Sequence, residues 1–144
     1  MRHFINIVEN ARKGYDAMGF IQHHGGRVLA YDELPEPAQK AVYQYMQIDG
    51  EADDYAEIPY GYAEVPAEAV FEFVNNYFRT EYGEEDSSSD WATGELSFEP
   101  SYPAKSVWPV IISRMGFEDG SHRLERYAKL GLKTIPVVAI GPRP

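Results

Sequence analysis

Glu118, Asp119, Gly120, Ser121, His122 and Arg123 stand side by side in the stretch GFEDGSHRLERYAKLG, near the end of the chain. Each of these residue types can handle an oxyanion or a proton. Glycine lets a ligand approach the backbone closely, and serine adds a hydroxyl. Arginine holds phosphate oxygens in a two-pronged fork. Histidine donates to an oxyanion or shuttles a proton near neutral pH. The carboxylates of Glu118 and Asp119 suit a divalent metal or accept a proton from a hydroxyl. If a helix begins here, its first backbone N–H groups add partial positive charge, which attracts phosphate or carboxylate.

The same residues also suit a plain helix start. On that reading Asp119 or Ser121 caps the helix, Glu125 pairs with Lys129 one turn on, and Arg123 is a solvated charge. Residue types alone leave both readings open.

The pattern around the cluster predicts what positions it. VWPVIIS is a β-branched run that reads as a buried strand, and RMGFEDG turns the chain. SHRLERYAKLG reads as a helix with Leu124, Tyr127, Ala128 and Leu130 inward, ended by Gly131. KTIPVVAIG is a second buried strand. Strand, helix, strand in this order predicts a βαβ unit with parallel strands. The cluster would then lie in a crevice outside the carboxyl end of a strand, the usual ligand site of open α/β sheets.

Upstream, MRHFINIVENARKG predicts an amphipathic helix with Phe4, Ile7, Val8 and Ala11 on one face. Arg27 to Tyr31 is a short strand after a Gly25-Gly26 turn. Pro35 opens a helix whose Ala38, Ala41, Val42, Tyr45 and Met46 form a buried stripe, and an acidic loop follows. Gly61 to Val65 is a strand leading into a helix opened by Pro66, with Val70, Phe73, Val74, Tyr77 and Phe78 on its apolar face. Residues 83–106 are polar, rich in Ser and Pro, and read as a long loop. The expected fold is α/β (α+β): one domain over 1–144, a small mixed sheet flanked by helices. Residues 1–55 form an N-terminal extension of helices and a short strand, and 56–144 form the core.

Totals narrow the function. With 144 residues and 44% hydrophobic content, the chain can bury a real core. Its formal net charge of −10 disfavours broad binding to nucleic acid, although Lys and Arg cluster from Arg114 to Lys133. Most simply, that charge aids solubility; an acidic surface can also imitate nucleic acid and occupy a basic partner. Absence of cysteine excludes disulfides, thiolate nucleophiles and cysteine-ligated metals, and makes a cytoplasmic setting the default. No apolar run reaches the roughly 20 residues of a membrane span, and the start lacks the features of a signal peptide. The adjacent His23 and His24 lack the spacing of a helical metal pair. Tyr55, Tyr60 and Tyr62 read as packing residues, as does Trp108 at the head of its strand, while Trp91 stands in the polar loop.

FEDGSHRLERYAKLGLKTIPVVAI, preceded by WPVII, resembles the signature of the ParB/sulfiredoxin superfamily. Its members carry a strand, a turn of the form D-G-x-H-R or G-E-R-R, a helix, and a strand beginning near I-P-V. YGYAEVPAEAVFEFV is similar to the family's first strand and the helix behind it, so the likeness spans Pro59 to Gly141. Sulfiredoxins use a cysteine in a G-C-H-R turn with ATP. Ser121 stands there in this chain, so the resemblance implies no sulfiredoxin chemistry. ParB-type partition proteins bind CTP at the turn and clamp DNA, which the acidity here argues against. Free serine kinases carry a D-G-H-H-R turn, which DGSHR closely resembles; their carboxylate base lies elsewhere, and Glu64, Glu68 and Glu72 fall in the corresponding strand and helix.

The resemblance implies that Gly120, Ser121, His122 and Arg123 cradle nucleotide phosphates, with Asp119 contacting Mg²⁺ or substrate. Asp119, His122 and Glu118 would be the catalytic side chains. The expected function is nucleotide binding, of ATP or CTP with Mg²⁺, supporting phosphotransfer or nucleotide hydrolysis. The alternative is a non-enzymatic acidic protein of a phage or mobile element that binds a host or partner protein. A nuclease is a third reading and would need two metals in a carboxylate cluster.

Overall fold

A computed structural model describes residues 15–48, 52–82 and 107–142. The amphipathic segment at 1–14 and the polar stretch at 83–106, with Trp91, lie outside the described residues. The elements are α1 (Ala17–His23), β1 (Arg27–Leu29), a 3₁₀ turn (Tyr31–Glu33), α2 (Glu36–Ile48), a second 3₁₀ segment (Ala52–Glu57), β2 (Tyr60–Pro66), α3 (Ala67–Tyr82), β3 (Val110–Ser113), β4 (Gly116–Asp119), α4 (Ser121–Leu130) and β5 (Thr134–Ile140). The fold is α+β: one five-stranded mixed sheet in the order β1-β2-β5-β3-β4, with helices flanking it.

Three of the four strand pairings are antiparallel, and β3 and β5 run parallel with Val110 opposite Val137. That parallel pair is the one the β-branched runs predict. Along β5, Ile135, Val137 and Ala139 join one core while Val138 and Ile140 face another, as strand alternation requires. The larger core places α1, α3 and α4 on one face through Ile21, Val70, Val74, Leu124 and Tyr127. On the other face α2 packs Val42 and Met46 against Tyr60 and Val138, and Ala41 against Trp108 and Ile111. Both faces of the central strands are therefore buried, which accounts for their unbroken apolar runs.

The stripe predicted for α2 is found: Ala38, Ala41, Val42 and Met46 are buried and Tyr45 is partly so. Pro35 directly precedes the helix, and Pro66 precedes α3. Val28 of β1 pairs with Gly61 of β2, so the short strand Arg27–Leu29 joins the same sheet as the rest.

One expectation is corrected. RMGFEDG is not a simple turn. Only Arg114 and Met115 turn the chain, and Gly116–Asp119 returns antiparallel to β3 as an edge strand. Pairing steps from Ile112–Phe117 to Ile111–Asp119, which leaves Glu118 as an inserted residue, a β-bulge. The Ser113 hydroxyl accepts the Met115 N–H at 3.0 Å and donates to Glu118, closing the hairpin.

Candidate functional site

The hairpin decides where the cluster lies. Because β4 runs back along β3, the start of α4 sits beside Val110, at the amino ends of β3 and β5. It does not lie outside their carboxyl ends, as a direct strand-to-helix turn would have placed it.

Gly120 caps α4, with φ +116 and no side-chain hydrogen bond to the helix start. Neither Asp119 nor Ser121 supplies the cap expected of them. A Cβ at Gly120 would lie 3.3 Å from the Val110 Cα and 3.5 Å from Arg123 Nη1, so a side chain would meet both strain and crowding. The helix ladder begins with Leu124 N–H bonding to the Gly120 carbonyl at 2.9 Å. The N–H groups of Ser121, His122 and Arg123 precede that bond and have no acceptor within the helix.

Arg123 is not the solvated charge of the plain reading, nor does it reach into solvent for a ligand. It is 7% exposed. Its Nη1 donates to the Pro109 carbonyl at 2.9 Å and its Nη2 lies 3.2 Å from Asp119 Oδ2. The guanidinium carbon sits 5.4 Å from the centre of the Trp108 ring. The arginine therefore ties the helix start to the segment entering β3. Asp119, about two-fifths exposed, spends one oxygen on it.

Glu118 turns away from this group. It accepts from Tyr45 Oη at 2.9 Å and from the Ser113 hydroxyl, linking the hairpin to α2. Glu118 and Asp119 therefore serve different neighbours and do not converge on one ion. Among the described residues no group of three His, Asp or Glu side chains could hold a metal. Half-buried Ser121 and His122 lie in the first turn of α4, and His122 Nδ1 is 3.9 Å from Glu125 Oε2. The structure thus sets Glu125 beside His122 rather than Lys129.

Sequence reasoning missed Trp108, Tyr127, Tyr45 and Ser113 as supports of this region. Tyr127 donates its hydroxyl to the Trp108 carbonyl at 2.7 Å, beside the Arg123–Pro109 bond, and both Tyr127 and Trp108 are buried. The available signal was the dipeptide Trp108-Pro109 at the head of a strand. Both residues precede β3, and their carbonyls are met by the Tyr127 and Arg123 side chains. Tyr127→Phe is expected to lower stability by about 1–2 kcal/mol, the usual cost of orphaning a buried acceptor. For a chain of this size that is a fall of several degrees in melting temperature, measurable by calorimetry.

His23 and His24 stack edge-on at 5.0 Å, with His24 also against Phe20. Tyr60 is wholly buried and donates to the Tyr55 carbonyl. No described helix is long and apolar enough to cross a membrane. Comparison with protein-family models, with curated proteins and with solved structures finds no match for the chain.

Proposed function

We propose that the chain binds a phosphate-bearing ligand of the nucleotide class at the Gly120–His122 turn. The observation that carries the reading is the glycine cap. A ten-residue helix starts at a buried, positive-φ glycine, which has no side chain of its own to cap the first N–H groups. Asp119, the obvious internal cap, is drawn off by Arg123. An anion seated there would meet backbone N–H groups, the Ser121 hydroxyl and the His122 imidazole. The resemblance of DGSHR to phosphate-binding turns supports the same reading.

The geometry changes the roles first expected. Arg123 is a positioning residue that fixes the turn, and direct phosphate contact falls to Gly120, Ser121 and His122. Mg²⁺ would arrive with the phosphates, with Asp119 as the carboxylate proposed to meet it, since Glu118 faces α2. Phosphotransfer or hydrolysis would then depend on charge neutralisation and positioning. The non-enzymatic reading, an acidic domain that binds a partner protein, is favoured by one observation: Arg123 and Glu118 are satisfied within the fold.

Ser121→Asp separates the two. A carboxylate in the first turn complements the helix dipole and should add about 0.3–1 kcal/mol of stability. It also occupies and repels the anion site. The expected result is a higher melting temperature together with loss of tripolyphosphate and nucleotide binding in calorimetric titration, with and without Mg²⁺. Wild-type protein that binds none of these anions would sink the phosphate reading and turn attention to a protein partner.

A further inference from the structure

Against α2 an open cavity of about 680 Å³ is lined by Tyr31, Glu36, Gln39, Lys40, Tyr43 and Trp108. Three of the six are aromatic. We infer that this cavity takes the nucleobase of the ligand whose phosphates sit at the Gly120 turn. The inference rests on the phosphate reading and names the other half of the same site.

Trp108 joins the two. It forms a wall of the cavity, and its ring lies 5.4 Å from the Arg123 guanidinium carbon. Arg123 Nη1 in turn is 3.5 Å from where a Gly120 side chain would begin. Trp108 and Arg123, both buried, thus stand between cavity and turn, and the ribose and phosphates of the ligand would run over them. The volume lies within the range of small-molecule sites.

The lining suits a flat, polar-edged ring. Tyr43 is 45% exposed at the cavity, held edge-on to Tyr55 at 5.3 Å, and so offers a ring braced from behind. Base–aromatic stacking needs little more than such a ring. Gln39 donates its amide N–H to the Leu34 carbonyl at 3.0 Å and the Asp32 carbonyl at 3.3 Å, which fixes the amide and leaves its oxygen as the acceptor. An acceptor there favours a base with an exocyclic amino group. Lys40, paired with Glu36 at 2.9 Å, places a cation at the rim.

The test uses full-length Trp91→Phe protein, in which Trp108 is the sole tryptophan, since the chain has two. Its fluorescence is followed during titration with ATP, CTP, adenosine and tripolyphosphate, and again after Tyr43→Ala. Tyr43 is exposed, so its removal leaves the core intact. The expected result is a fluorescence change with the nucleotides and adenosine. Tyr43→Ala should weaken both by about tenfold or more, leaving tripolyphosphate affinity unchanged. Equal affinity for ATP and tripolyphosphate, or indifference to Tyr43→Ala, would overturn the base pocket and leave the phosphate turn standing. Adenosine binding that needs Tyr43, with no tripolyphosphate binding, would support the pocket and overturn the turn.

Discussion

Arg123→Ala will cost the domain about 3 kcal/mol and lower its melting temperature by roughly 6–12 °C, by the scaling for chains of this size. Three interactions go at once. The Pro109 carbonyl loses a charged donor at 2.9 Å, and a hydrogen bond of that kind is worth about 1.5–3 kcal/mol. The Trp108 ring loses its cation, worth about 0.5–2 kcal/mol depending on desolvation. The Asp119 pair adds less, because that carboxylate is two-fifths exposed and solvent screens it. Loss of ligand binding in Arg123→Ala would therefore be ambiguous, since the turn itself would shift. Arg123→Lys keeps the charge without the fork and cannot serve Pro109 and Asp119 together. It should recover only part of the loss. A urea midpoint for Arg123→Ala equal to wild type would show that the guanidinium does not hold the turn.

The difference between Arg123 as ligand contact and as internal strut shows where the sequence stops being informative. β5 and the helix after Pro66 were legible because both rest on local patterns: a β-branched run buried on both faces, and apolar residues at helical spacing. α4 was legible too, from Leu124 and Tyr127 inward to Gly131 at its end, although Leu130, expected inward, is exposed. β4 was not. Its four residues, Gly116 to Asp119, hold one large apolar side chain, two acids and a glycine, and Glu118 is bulged out of the pairing. No two-residue alternation survives in so short an edge strand. Missing it reversed the end of the sheet at which the cluster lies. The fate of Arg123 was equally hidden, because its partners Pro109 and Trp108 are set by the hairpin and lie more than a dozen residues away. An arginine in a polar cluster looks the same in sequence whether it faces a ligand or a carbonyl.

That hairpin can be broken at one atom. Gly116→Ala should destabilise the domain by about 3 kcal/mol, from two sources of comparable size. Gly116 has φ +114, a conformation L side chains rarely adopt, and forcing one there costs about 1–3 kcal/mol. The new methyl would also overlap the Tyr77 ring and lie 3.1 Å from Tyr15 Cε2. Tyr77 cannot swing away freely, because Tyr15 and Phe78 hold it at centroid distances of 5.6 and 5.3 Å. Overpacking of this kind typically costs another 1–3 kcal/mol. Adding Tyr77→Ala separates the terms, since it relieves the overlap but leaves the backbone strain. The double mutant should therefore be more stable than the summed single effects predict, by about 1 kcal/mol or more. Strict additivity would mean that the methyl never meets the ring. The damage should also travel. Displacing β4 pulls Glu118 from Ser113 and Tyr45 and moves Asp119 off Arg123, so the Gly120 turn and the α2 wall of the cavity, the two halves of the proposed site, shift together. Ligand binding should then fall in Gly116→Ala even though residue 116 touches neither half of the site, and unchanged binding would mean that the turn holds its shape without the hairpin.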